Sequence, residues 1–325
     1  MVGAFHKPLL EEAATRGYTT VRIPRGLNLP GGVRATARIC REHSIDLVNA
    51  HSLRMTLVAG LARKLRLMKT PLVTTIHNIA DRRNDSRART ILERFPDEVI
   101  FVSRYERDRL AEIWGHAVGQ VIYSGVELPR PGVVEAIDLE AKHGVPRDAR
   151  VIGFVGRLSP EKAVGDAITT LVRLPEDVWL CIVGDGAEEG ALRAEARRRG
   201  VERRVVFAGF SREVDRYLVS FSVLVLPSRR EALPVTLREA GALSIPVIAA
   251  DVGGVREIVT PRETGLLYPT GDVDALVRAV RGMLDDPSRA AAMGCAARQR
   301  VAQIFGVKRW VDETEALFAQ TAQVD

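Results

Sequence analysis

The chain has 325 residues, 46% hydrophobic and 27% charged, an ordinary globular composition with the length for two domains and no need of a disulfide or metal staple. No apolar run approaches the ~18–20 residues of a spanning helix, and Met1 to Pro8 lacks an apolar core followed by a small-residue cleavage site, so neither a membrane span nor ordinary secretion is expected. The net charge of +6 sits in the first part: residues 1–145 carry 22 Lys/Arg against 16 Asp/Glu, and the remainder is balanced.

Short β-branched runs alternate with helical stretches throughout, the rhythm of βα units and a parallel sheet covered on both faces. The first half reads as strands at Tyr18–Pro24, Ile45–His51, Pro71–His77, Glu98–Ser103 and Val121–Ser124, with helices starting near Gly32, Arg54, Arg87 and Arg104. Pro129-Arg130-Pro131-Gly132 and Gly144-Val145-Pro146 interrupt both periodicities, which places a linker between Val126 and Arg150. Strands follow at Val151–Gly156, Val178–Gly184, Val205–Gly209, Val223–Pro227 and Pro246–Ala249, with a short strand or turn at Gly265–Tyr268. The tail from Asp272 is Ala/Arg-rich helix punctuated by Asp286-Pro287 and Phe305-Gly306. The fold class is α/β: two Rossmann-like doubly wound domains facing a cleft, where the carboxyl ends of parallel strands collect ligands. Cys40, Cys181 and Cys295 lie far apart beside apolar neighbours and read as reduced, buried thiols of a cytosol, not as metal ligands.

Two segments carry chemistry. Phe154-Val155-Gly156-Arg157-Leu158-Ser159-Pro160-Glu161-Lys162 is a buried strand running into a loop with two cations. Gly156 admits a ligand close to the backbone, and Arg157 with Lys162 can converge on a diphosphate; either cation alone would read as a solvated surface charge. In Pro227 to Ala240 a strand ends, a loop carries Glu231, and Pro234 opens a helix whose first-turn amides can receive an anion. Glu239 lies further along that helix, and either carboxylate can accept sugar hydroxyls, though two glutamates at this spacing are by themselves more often solvated.

Together with Val183-Gly184-Asp185-Gly186 and Asp251-Val252-Gly253-Gly254-Val255-Arg256-Glu257-Ile258-Val259, these segments resemble glycosyltransferase family 4, the retaining, nucleotide-sugar-dependent group of the GT-B fold. Asp46 to Ser52, Val73 to His77, Phe101-Val102-Ser103 and Val121 to Val126 extend the likeness more loosely into the first half. The resemblance implies a hexosyltransferase moving sugar from a UDP- or GDP-sugar to a glycan or lipid-linked acceptor, in polysaccharide or cell-envelope glycan biosynthesis. It implies an acceptor-side domain over residues 1–145, a nucleotide-sugar domain over 146–305, and a last helix over 306–325 packing back toward the first domain. Arg157 and Lys162 would neutralise the departing nucleoside diphosphate, so no metal and no cofactor is implied. Glu239 would hold the ribose. Glu231, with the amides around Leu233, Pro234 and Val235, would hold the donor sugar and phosphate. Gly184, Gly209 and Phe210 would border the base, and His77 would stand beside the donor sugar, with His51 a weaker parallel.

The start departs from the family pattern: the chain opens at what reads as a helix, without the usual first strand and Gly-Gly loop. The first domain is therefore expected to be truncated, open to completion by a partner chain. Pro30-Gly31-Gly32 reads as a helix-start turn rather than a replacement for that loop. Asn78 to Arg89, after the His77 strand, is rich in arginine and suits an anionic acceptor as well as it suits an ordinary polar loop. Arg63-Lys64-Leu65-Arg66-Leu67-Met68-Lys69 mixes cations and apolar residues, so a cytoplasmic enzyme in peripheral contact with the inner face of an anionic membrane fits, as does a simple helix end. A non-catalytic nucleotide-sugar-binding subunit is the alternative reading. Nucleic-acid binding has only the basic first half in its favour.

Overall fold

The computed structural model describes residues 2–4, 7–22, 28–77, 85–116 and 118–323. By contact it divides into two units, Met1–Ile100 with Ala111–Gln120 and Glu315–Asp325, and Phe101–Leu110 with Val121–Thr314.

In the first unit, strand β1 (Val2–Ala4) pairs in parallel with β2 (Thr20–Arg22), and the helix Lys7–Thr15 joins them. The chain thus opens on a strand, which corrects the expected helical opening; three residues are too few to show a period of two. A second sheet runs in the order β3 (Val48–Ala50), β4 (Leu72–Ile76), β5 (Glu98–Phe101) and β6 (Gln120–Val121). The strand expected at Val121–Ser124 stops at Val121, and the carbonyl of Ser124 accepts instead from the Arg238 guanidinium. The helix Leu29–Glu42 begins before the expected Gly32, because the Asn28 side chain accepts from the Gly31 amide at 2.9 Å and Pro30 occupies the first turn. Asp85–Arg94 is likewise helical from Asp85, so only residues 78–84 of the expected acceptor loop remain, and they lie outside the described residues. The helix Leu29–Glu42 packs on the helix Leu53–Lys64 through Val33, Ala37, Val58 and Ala62.

The second unit holds a six-stranded parallel sheet: β7 (Arg150–Val155), β8 (Val178–Val183), β9 (Val205–Gly209), β10 (Val223–Leu226), β11 (Val247–Ala250) and β12 (Leu266–Tyr268), in the spatial order β12-β11-β10-β7-β8-β9. Its central strands are near-continuous apolar runs because helices cover both faces, and Ile152, Phe154, Leu180, Ile182 and Leu224 are buried. Cys181 lies inside this core, where burial pushes its thiol up to about 12. Cys295 corrects the expectation of three buried thiols: it is exposed, because Met293, Gly294 and Ala297 take the inward face of the helix Pro287–Ile304. The linker region contains a short helix unread in the sequence, Leu139–His143, capped by Asp138 and closed by Gly144 at φ 71°. The tail folds as Val273–Leu284, Pro287–Ile304 and Val307–Ala322, with Asp272 and Asp286 capping the first two. Among the described residues, no helix is long and apolar enough to cross a membrane.

Candidate active site

Strand order in the second unit reverses between β7 and β10, the place where an open parallel sheet leaves a crevice beyond its carboxyl ends. The loop after β7 carries Lys162 and the loop after β10 carries Glu231, and the two side chains meet there: Lys162 Nζ donates to Glu231 Oε1 at 2.6 Å. The same oxygen accepts from the Ser228 hydroxyl, also at 2.6 Å. The Glu231 side chain is 8% exposed and that of Lys162 21%. With both donors on Oε1, Glu231 Oε2 has no partner among the described residues.

The backbone fixes this pair from several sides. The Arg229 amide donates to the Glu161 carbonyl at 2.7 Å, and the Arg229 guanidinium makes two bonds to Asp166, at 2.6 and 3.0 Å, locking the β10 loop to the turn that bears Lys162. Gly253, at φ +54°, lies against the Glu231 carbonyl so closely that a Cβ would overlap it, and the Gly254 amide donates to the same oxygen at 3.3 Å. At the neighbouring strand ends the Gly156 amide donates to Val183 and the Gly184 amide to Gly209, at 2.9 and 2.8 Å. Gly184 has no room for a Cβ above the Gly156 carbonyl, so Gly156, Gly184 and Gly209 form one side-chain-free edge. Phe210, next to that edge, is 70% exposed.

Pro234 is the N-cap of the helix Val235–Ala242 and offers no side chain to its first-turn amides, which leaves them available to an anion. Leu233 and Pro234 are buried, whereas Val235 is exposed. Glu239 lies in that helix, half-buried, its carboxylate with no hydrogen bond among the described residues; burial raises its carboxyl, Arg238 opposes the rise and Asp215 adds to it. Arg238 itself is buried, bonded to the Ser124 and Leu233 carbonyls and lowered to about 10 by burial. Arg157 stands apart from the Lys162–Glu231 pair: its side chain is 73% exposed and faces Glu161 at 3.5 Å.

The histidines belong to the first unit. His77 follows β4 and His51 follows β3, and the rings stack at 5.2 Å and 19° with His51 Nδ1 at 2.9 Å from His77 Nε2. Partial desolvation lowers both imidazoles, and for His51 the charge of His77 adds to the effect.

Ser228 and the Arg229–Asp166 clamp were not singled out from sequence. A serine directly after the strand-ending Pro227 and three residues before Glu231 was the available signal.

A doubly wound sheet with a cation, a carboxylate and an uncapped helix N-terminus gathered at its switch point is the kind of α/β site that can receive a phosphate-bearing ligand. Family models match along both halves, Glycosyltransferase Family 4 over residues 3–130 and Glycosyl transferases group 1 over residues 136–300. The chain belongs to this glycosyltransferase family, and it is a hexosyltransferase using nucleotide-sugar donors. It is 33% identical, over 89% of its length and 80% of the relative's, to a GDP-mannose-dependent alpha-(1-6)-phosphatidylinositol monomannoside mannosyltransferase of Mycolicibacterium smegmatis. A glycogen synthase of Mycobacterium tuberculosis is 31% identical over 80% of this chain and 65% of its own. Among solved structures, Anabaena HepE in complex with UDP-glucose superposes with a TM-score of 0.89 at 23% identity, covering 98% of this chain and 91% of that one. The GT-B fold expected from sequence is therefore the fold of this chain.

Proposed function

We propose that this chain transfers a hexosyl group from a GDP- or UDP-sugar to a glycan or lipid-linked acceptor, with retention of anomeric configuration and without a metal ion. The observation that carries the reading is the Lys162–Glu231 pair at the switch point, beside an uncapped helix N-terminus. Lys162 and the exposed Arg157 would take up the charge that develops on the leaving diphosphate, the task other enzymes give to a divalent cation. The free Glu231 Oε2 and the amides after Pro234 would hold the donor sugar and its phosphate, and Glu239 would accept the ribose hydroxyls. His77 would stand beside the donor sugar. GDP-mannose heads the donor candidates because the mannosyltransferase relative uses it, and UDP-glucose follows from HepE.

Lys64, Leu65, Arg66 and Lys69 are exposed at the end of the helix Leu53–Lys64, while Arg63 is held by Asp97. That exposed group supports contact with an anionic membrane carrying the acceptor. The deciding experiment offers labelled GDP-mannose and UDP-glucose with a membrane lipid extract, with and without chelator, and reads the anomeric configuration of the product by NMR. Product of retained configuration, formed equally in chelator, supports the proposal. An inverted product, or transfer abolished by chelator and restored by metal, overturns the corresponding part.

A further inference from the structure

Among the described residues, His51 is the one ring in contact with His77, and the strand pairing places it there. Strands β3 and β4 are paired in parallel with Ala50 opposite Thr74, so both histidines emerge from the same end of adjacent strands. Thr75 Oγ1 donates to Asn49 Oδ1 across the two strands at 2.9 Å, and a buried hydroxyl contact at 3.0 Å ties Thr56 of the helix Leu53–Lys64 to Thr74 of β4. Ser52, next to His51, caps the helix Leu53–Lys64. The rings are held by a rigid frame, and a nitrogen-to-nitrogen contact of 2.9 Å demands one donor and one acceptor.

We infer that His51 is a positioning residue that sets the tautomer of His77 through the Nδ1···Nε2 hydrogen bond, so that the two imidazoles act as one neutral unit. A neutral pair carries two ring protons, one shared between the rings and the other on an outer nitrogen. If His51 Nδ1 donates, His77 Nε2 accepts, the pair's other proton sits on His77 Nδ1, and that nitrogen presents a donor. If His77 Nε2 donates, its Nδ1 presents a lone pair and the outer proton sits on His51 Nε2. The pair therefore offers a sugar hydroxyl either a donor or an acceptor at one place, without a change in net charge. His77 Nδ1 has no partner among the described residues. This inference rests on the reading that His77 serves the donor sugar.

The contact atoms dictate the test. An asparagine amide overlays the Nδ1 position of a histidine, whereas a glutamine amide overlays Nε2, so His51→Asn should keep the bond and His51→Gln should lose it. On the full-length protein, long-range proton–nitrogen NMR should show wild-type His77 with one protonated and one bare nitrogen, and His51→Gln should shift the distribution between them. Turnover should fall about fivefold to tenfold in His51→Gln and His51→Ala, the loss of one hydrogen bond, with recovery in His51→Asn and an unchanged dissociation constant for GDP or UDP. Unaltered His77 resonances in His51→Gln, or equal turnover in the Asn and Gln variants, would overturn the inference. His77→Ala separates the two ideas: full transfer by that variant defeats the role of His77 itself, whereas its inactivity beside a fully active His51→Gln defeats only the coupling.

Discussion

Lys162→Met removes the charge at the switch point and leaves Glu231 buried with a single donor, Ser228. The gross attraction across 2.6 Å is about 6 kcal/mol at an effective dielectric of about 20. Desolvation of both groups offsets most of it, and Lys162 keeps a fifth of its side chain in water. The net coupling is then about 1–3 kcal/mol, and a loss of about 2 kcal/mol should lower the melting temperature by about 5 °C. Transfer should fall further than stability explains, at least about tenfold at 25 °C, because a charge-assisted contact to the diphosphate is worth about 1.5–3 kcal/mol. A double-mutant cycle with Glu231→Gln, which keeps an acceptor for Ser228, isolates the pair. The double variant should recover part of the lost stability and none of the lost transfer. Denaturant unfolding and initial-rate assays on the same samples report both quantities. Strict additivity of the stability changes together with wild-type transfer by Lys162→Met would refute the assignment.

The remaining expectations test the surroundings of that pair. Ser228→Ala should cost about 1–2 kcal/mol of stability and lower turnover more than it raises KM, since it frees Glu231 to rotate; urea melts and steady-state kinetics decide. Gly253→Ala combines a left-handed backbone with a Cβ set against the Glu231 carbonyl, and should destabilise by about 2–4 kcal/mol and reduce transfer, as thermal melts and rate assays would show. For Glu239, burial raises the folded carboxyl above its unfolded value, so this group favours folding at low pH and that contribution is lost as pH rises through the folded value. Glu239→Gln should therefore stabilise the unliganded protein above that window, and Glu239→Ala should weaken nucleoside diphosphate binding about tenfold by calorimetry.

The sheet of the second unit was legible because burial on both faces leaves runs such as Val151–Val155 and Val178–Val183 without polar interruptions. The first unit was less so. The three-residue strand Val2–Ala4 is too short for periodicity and depends on its partner Thr20–Arg22, and the strand expected at Ile45–His51 is found only over Val48–Ala50. The glycines at the site were legible as chemistry, but what each one lies against was not: Gly253 over the Glu231 carbonyl and Gly184 over that of Gly156 are contacts between loops from different strands. Lys162 and Glu231 were each picked out for a ligand, yet their bond to one another, 69 residues apart, follows from strand order and not from any local pattern.

On the proposed reading, that bond gives the two cations after β7 different work. Lys162 and Glu231 together form a neutral pair, which adds little long-range attraction for an anion; its contribution would begin only when a phosphate oxygen competes for Nζ, and the Glu231 partner would limit how tightly a ground-state diphosphate is held. Arg157, 73% exposed and facing Glu161 at 3.5 Å, is weakly engaged and free to reach an arriving phosphate. As the bond to the sugar breaks, charge grows on the leaving oxygen, and a lysine already oriented by Glu231 can strengthen its contact there without reorganising. A cation held back in the ground state and released to the developing charge favours the transition state over the bound donor, which is the condition for raising turnover and not merely affinity. On the same reading Ser228 and the Arg229–Asp166 clamp would keep Glu231 in place while Lys162 turns toward the leaving group.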